Sequence, residues 1–149
     1  MPVIERSTTI NAPLEQVFQL LDTPERVGEW APGVTRVADI KQTPQRIGDS
    51  ARITYSVLGL RFPMKMTVVE YNRPRKVTTR MEGGMGGTFA WSLEPQGLAT
   101  RVQMRIDYTM KGGILGKAAN TLLVERMNER NAERMLENLK MLTEAEAKK

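Results

Sequence analysis

Arg101-Val102-Gln103-Met104-Arg105-Ile106-Asp107-Tyr108-Thr109-Met110 carries the cleanest alternation in the chain. Every second residue from Val102 to Met110 is apolar or aromatic, and those between are polar or charged. A period of two marks a β-strand with one face in a core and the other in water. Toward the N-terminus the same period returns. Phe89, Trp91 and Leu93 alternate with Thr88, Ala90 and Ser92, and Val77, Thr79 and Met81 with Thr78, Arg80 and Glu82. Phe62, Met64, Met66 and Val68 share one phase, as do Ala51, Ile53, Tyr55 and Val57. Val34–Lys41 and the Thr- and Ile-rich Val3–Ile10 read as two more strands. Turns at Leu58–Arg61, Asn72–Arg75 and Glu94–Gly97, and a glycine-rich loop at Gly83–Gly87, separate neighbours. Such short connections predict an antiparallel meander.

Beyond Met110 the period lengthens. Lys111-Gly112-Gly113 breaks the strand, and after Gly116 a helix is expected to run to about Leu142. Glu125, Glu129, Glu133 and Glu137, beside Arg126, Arg130 and Arg134, make its solvated face. Val124, Met127, Asn128, Asn131, Met135, Leu139 and Leu142 make the opposite face, with Ala132 and Leu136 on its flank. Leu115, Ala119, Leu122 and Leu123 lie on the wrong side for that face. A late helix start near Ala118–Thr121, or packing on the Lys111–Gly116 loop, accounts for them; the alternative is a patch for a partner, a membrane surface or a second subunit. Ahead of Val34, Asn11 at or beside a cap and Pro13 in the first turn start one short helix. Thr23-Pro24-Glu25 starts another, ending near Trp30. The class is α+β: about seven antiparallel strands, two short helices and one long C-terminal helix, the only large cover for the sheet's apolar face. One domain over residues 1–149 is expected, with residues 143–149 frayed.

Composition narrows the chemistry. The 149 residues include no Cys and no His. That removes disulfides, zinc-thiolate sites, thiol nucleophiles and every His-based triad. No metal or redox cofactor is implied. Net charge is +5, from 22 basic and 17 acidic residues spread without runs, so no nucleic-acid partner is expected. No window of about 18 apolar residues could insert stably in a membrane. Met1–Thr9 lacks the apolar core of a secretory signal, so a cytoplasmic location is expected. Gly83–Gly87 is followed by a strand and no Lys-Ser/Thr, and Lys117 by no hydroxyl, so neither is a phosphate loop.

The order of elements resembles the START-like, Bet v 1-like (SRPBCC) superfamily, and within it the polyketide cyclase/dehydrase and lipid-transport group. The resemblance rests on Ile10-Asn11-Ala12-Pro13 before Val17-Phe18, Trp30 before Pro32-Gly33-Val34, and Ile47-Gly48-Asp49. It continues through Val69-Glu70-Tyr71 before Arg73-Pro74, Phe89–Pro95, Gly97 to Val102, and Gly112–Gly116. It implies a helix-grip fold, in which a curved sheet wraps the long helix and leaves a cavity between them.

By that resemblance, the ligand-binding candidates are Tyr55, Met64, Met66, Met81, Phe89, Trp91, Met104, Tyr108, Met127, Asn128 and Asn131. Ten methionines suit a pocket that adapts to apolar ligands, and equally an awkward core. Asn128 and Asn131 could hold a polar ligand group or bond to the sheet. Trp30 could plug the cavity mouth or touch a ligand, and Arg6 could be a counter-charge or reach solvent. Glu82 and Asp107 point outward by phase, Glu94 lies in a turn, and Glu70 reads as a rim carboxylate, so no catalytic residue is assigned. The expected function is binding or transport of a hydrophobic small molecule such as a lipid, quinone or polyketide. The alternatives are a cyclase or dehydratase and a co-chaperone-like interaction module. A monomer or weak homodimer is expected.

Overall fold

The apolar alternations join into a single sheet. The computed structural model describes residues 2–110 and 121–149. Among the described residues, seven strands pair in the order β1-β7-β6-β5-β4-β3-β2, all antiparallel. They are β1 (Val3–Ile10), β2 (Val34–Lys41), β3 (Ser50–Val57), β4 (Leu60–Asn72), β5 (Lys76–Gly83), β6 (Met85–Gln96) and β7 (Ala99–Met110). From β2 to β7 each strand pairs with its successor, as short turns require. β1 pairs with β7, setting Ile4 against Ile106 and Ile10 against Thr100. The inward phase of β7 is buried at Val102, Met104, Ile106 and Tyr108, while Gln103 and Arg105 stay exposed.

Among the described residues three helices lie against this sheet: α1 (Leu14–Leu21), α2 (Val27–Trp30) after a 3-10 turn at Pro24–Arg26, and α3 (Thr121–Ala147). α1 buries Val17, Phe18 and Leu20. The buried line of α3 runs through Val124, Asn128, Ala132, Leu136, Leu139 and Thr143, steps of four with one of three. Ala132 and Leu136, expected on the flank, are therefore at its centre. Met127, Met135 and Leu142 pack half-buried along its edge. This is the helix-grip arrangement: a sheet closed around one long helix.

Three local expectations need correction. The tail does not fray at 143: α3 continues to Ala147. Thr143 is buried and donates to the Leu139 carbonyl at 2.6 Å. The Glu144 carboxylate accepts the Asn11 backbone N–H at 2.8 Å, and Glu146 pairs with Arg26. Polar side chains thus fasten the last turn to the N-terminal segment, through partners more than a hundred residues away. Asn11 does not cap α1, which begins at Leu14. Pro13 occupies that position, with no side-chain cap.

The Gly83–Gly87 stretch is not an open loop, because Gly84 alone separates β5 from β6. Gly83 and Gly87 hold φ of 122° and 114°, accessible to glycine at little cost. A Cβ on Gly87 would run into the Asp107 carbonyl oxygen. The start of the long helix at Gly116, and residues Leu115 and Ala119, lie outside the described residues. Leu122 and Leu123, in the first turn of α3, are about half exposed. Among the described residues no helix is long and apolar enough to cross a membrane.

Candidate functional site

Between the inner sheet face and α3 lies a cavity of about 210 Å³. Alternate residues of successive strands supply its floor, because a strand turns every second side chain to the same face. β4 gives Met64, Met66 and Val68, β5 gives Val77, Thr79 and Met81, and β6 gives Phe89 and Trp91. α3 closes the other side with Asn128, Asn131, Ala132 and Met135.

Nine of the eleven residues proposed from sequence stand on this wall: Tyr55, Met64, Met66, Met81, Phe89, Trp91, Tyr108, Asn128 and Asn131. Two do not. Met104 is 1% exposed, in register with Trp91 on β6 and Arg6 on β1. It belongs to the packed end of the core, with Leu93, Val102 and Leu139, where no space remains. Phase on β7 separates inside from outside but not the packed half of the strand from the hollow half. Met127 sits half-buried against the core, off the cavity wall. Met135, which follows Asn131 by one turn of the same face, takes a place on the wall that sequence reasoning did not assign. Arg6 is no internal counter-charge: its Nε bonds the Glu133 carboxylate at 3.2 Å in the open. Glu70 is exposed and off the cavity wall: a bulge after Val68 sets it opposite Thr78, out of the phase it shares with Met66 and Val68 in sequence, and there it accepts from Thr78 Oγ1 at 3.0 Å and pairs with Lys76 at 3.4 Å.

One set of polar groups connects the sheet to α3. The Tyr55 hydroxyl donates to Asn128 Oδ1 at 2.7 Å and accepts from Asn131 Nδ2 at 2.8 Å. Asn128 Nδ2 donates to the Tyr108 hydroxyl at 3.1 Å and to Met110 Sδ at 3.5 Å. The two amide hydrogens of Asn128 are then used. Burial pushes the Tyr55 phenol up to about 12, against a smaller downward pull from the Asn131 bond. Burial likewise raises Tyr108. Both phenols therefore stay neutral donors at ordinary pH.

A second set borders the cavity between α1 and the β2–β3 connection. Arg46, at φ 70°, donates from Nε to Asp49 at 2.6 Å and from Nη2 to Asp22 at 2.8 Å. Tyr71 donates to Asp22 Oδ2 at 2.9 Å, and the Arg46 guanidinium stacks 5.1 Å from the Tyr71 ring. Burial works against the Arg46 charge, but the hydrogen bonds to Asp49 and Asp22 outweigh it and hold the guanidinium protonated. Asp49 also accepts the Thr43 N–H at 2.6 Å, so the connection is tied to itself and to the end of α1. Sequence reasoning quoted Gly48-Asp49 as a marker but gave Asp22, Arg46 and Asp49 no role. Their meeting joins two separate segments, the end of α1 and the β2–β3 connection, a tertiary event with no periodic trace. Both acids are spent on one arginine, leaving neither placed as a free general acid or base.

Trp30 completes the wall. It is 3% exposed, edge-on to Trp91 at 5.8 Å, and Trp91 in turn stacks on Phe89 at 5.2 Å. The Trp30 backbone carbonyl accepts from Asn138 Nδ2 at 3.3 Å. Its indole Nε1–H is buried and has no acceptor among the described residues.

Comparison with known proteins agrees with this architecture. The model of a family described as polyketide cyclase / dehydrase and lipid transport matches residues 1–144. Among solved structures, a Thermus thermophilus protein, TTHA0849, superposes with TM-score 0.79 at 21% identity, covering 98% of this chain and 99% of that one. The Zhui aromatase/cyclase from Streptomyces sp. R1128 gives TM-score 0.77 at 18% identity, covering 96% and 93%. A START superfamily protein from Mycobacterium smegmatis gives 0.71 at 15% identity, covering 98% and 97%. At these identities the likeness is one of fold. No curated protein matches the chain.

Proposed function

The chain belongs to the polyketide cyclase/dehydrase and lipid transport family, in the START/Bet v 1 (SRPBCC) superfamily, and from that premise we propose that it binds and carries a small hydrophobic molecule between sheet and helix. The observation that carries this reading is the cavity itself. Its wall is mostly methionine, aliphatic and aromatic side chains, and the polar groups deep in it, Tyr55, Tyr108, Asn128 and Asn131, are uncharged. Apolar burial would supply the affinity, and a few hydrogen bonds the orientation. At about 210 Å³ the space is below the roughly 300–1,000 Å³ of a typical ligand site, which favours a molecule of one or two rings over a long acyl chain. The flexible Met64, Met66, Met81 and Met135 can give way to a variable outline.

A cyclase or dehydratase reading has less support. Such chemistry needs an acid or base within reach of the substrate. The carboxylates bordering this cavity, Asp22 and Asp49, are both bonded to Arg46.

Native mass spectrometry of gently purified protein tests the proposal. A stoichiometric adduct of low mass is expected, extractable into organic solvent. Met66→Trp, which fills the cavity, should abolish the adduct while leaving the thermal transition cooperative. A clean apo mass, with no binding of a hydrophobic fluorescent probe, overturns it.

A further inference from the structure

The cavity opens on one side, and an ion pair spans the opening. Of the described residues on its wall, the exposed ones are Lys41 and Gln42, where β2 runs into the β2–β3 connection. That connection and β2's end supply one lip of the mouth, with Ile40, Gln42 and Arg46. The segment from α1 to α2 supplies the other, with Asp22, Pro24 and Val27. Among the described residues one polar side-chain link joins the two lips. Arg46 grips the Asp22 carboxylate with both ends of its fork, from Nη1 at 3.0 Å and from Nη2 at 2.8 Å. The Asp22 side chain is 9% exposed, so water screens this pair little.

Each partner is fixed from its own side. Asp22 also accepts from the Tyr71 hydroxyl at 2.9 Å and from Arg73 at 3.1 Å, which hold the end of α1 to β4 without help from Arg46. The connection is a turn bonded mainly to itself. Thr43 N–H donates to Asp49, Thr43 Oγ1 to the Ile47 carbonyl, and Arg46 N–H to the Thr43 carbonyl. At its base the Gly48 N–H donates to the Val68 carbonyl of β4 at 2.8 Å; toward its tip it holds on by the Arg46 guanidinium. Arg46 stands at φ 70°, a conformation that glycine adopts freely and a residue with a Cβ adopts at a cost. The turn itself has no use for a side chain there. What the arginine adds is the grip on the opposite lip.

We propose that the Arg46–Asp22 pair is a clasp across the cavity mouth, released when the β2–β3 connection swings on its base to let a ligand in or out. This rests on the cavity-binding reading above. The clasp closes over an empty cavity and a filled one alike, so it sets the rates of exchange and cancels from the affinity.

Stopped-flow fluorescence with the neutral naphthalene dye Prodan, mixed with protein and then displaced by excess 2-acetylnaphthalene, reads both rate constants. Asp22→Asn keeps the shape of the side chain, leaves Asp49 on Arg46, and removes the charge that the guanidinium grips. It should raise the association and release rates together by about tenfold, the worth of one hydrogen bond to a charged group, and leave the dissociation constant unchanged. Arg46→Gly, which suits φ 70°, should do the same by a second route. Val102→Ala opens a gap in the packed end of the core, so it should lower the melting temperature and leave both rates alone. If the dye binds but exchanges equally fast in all four proteins, or if Val102→Ala speeds exchange as much as Asp22→Asn, the clasp is overturned and the binding cavity stands. A faster release matched by weaker binding makes Asp22 and Arg46 ligand contacts, and overturns it too. If the dye binds none of them, both readings fall together.

Discussion

Three phenols report on this protein's interior, since Tyr55, Tyr71 and Tyr108 all hold their protons beyond the usual range. Burial is the main cause for each; for Tyr71 the hydrogen bond to Asp22 adds to it. A raised phenol contributes stability that is complete below its unfolded value, near 10, and is lost as pH climbs through its folded value, about 12 for Tyr55. Absorbance at 295 nm should therefore show little phenolate in the folded protein at pH 10, and a rise near pH 10 once urea unfolds it. Folded protein that ionises like a free phenol would contradict the burial of these rings. At this scale the sequence was a partial guide. Period-two phase put Tyr55, Met64, Met66, Met81, Phe89, Trp91 and Tyr108 on the inner face, and a pair of asparagines on an apolar helix stripe singled out Asn128 and Asn131. It could not separate Met104, in the filled end of β7, from Tyr108, in the hollow end. Nor could it show that Asp22 meets Arg46 and Asp49, because that association depends on how two distant segments pack.

The elements follow the same division. Strand boundaries came through because alternation and turn residues are local signals, while the end of α3 did not. The residues from 143 onward look like a charged tail, yet Glu144 and Glu146 tie it to Asn11 and Arg26. The Lys140 ammonium, then the Asn11 N–H, hold the Glu144 carboxyl below the usual range, and Arg26 does the same for Glu146. A lowered carboxylate contributes stability that is present above its unfolded value, near 4.5, and lost as pH falls through the folded one. The Lys140–Glu144 pair is partly exposed and worth about 0–1 kcal/mol. Acidification below pH 4 should therefore loosen the last turn of α3 before the sheet opens. Hydrogen exchange of residues 143–147 should quicken at low pH, and Glu144→Gln should reproduce part of that effect at neutral pH. Uniform exchange along α3 at every pH would count against the anchoring.

For the molecule as a whole, a hollow core means missing contacts, and a ligand restores them. An occupant present at 100 times its dissociation constant adds about 2.7 kcal/mol to the folded state. For a domain of this size each kcal/mol is worth roughly 2–4 °C. The melting temperature should rise by roughly 5–10 °C with a saturating probe, and not at all for Met66→Trp, whose cavity is already filled. An equal rise in both would place the probe outside the cavity.

The order of the sheet has a consequence for how the chain is made. β1 is an edge strand whose one partner in the sheet is β7, so Val3 must wait for Asp107, 104 residues later. At roughly 5–20 residues per second, a ribosome needs about 5–20 s to deliver that partner. For that interval Ile4 and Ile10 are displayed on an unpaired edge while β2 to β6 can already zip together in sequence. Synonymous codon changes that slow translation before residue 99 should thus lengthen the window in which the nascent chain depends on a chaperone, without altering one atom of the finished protein.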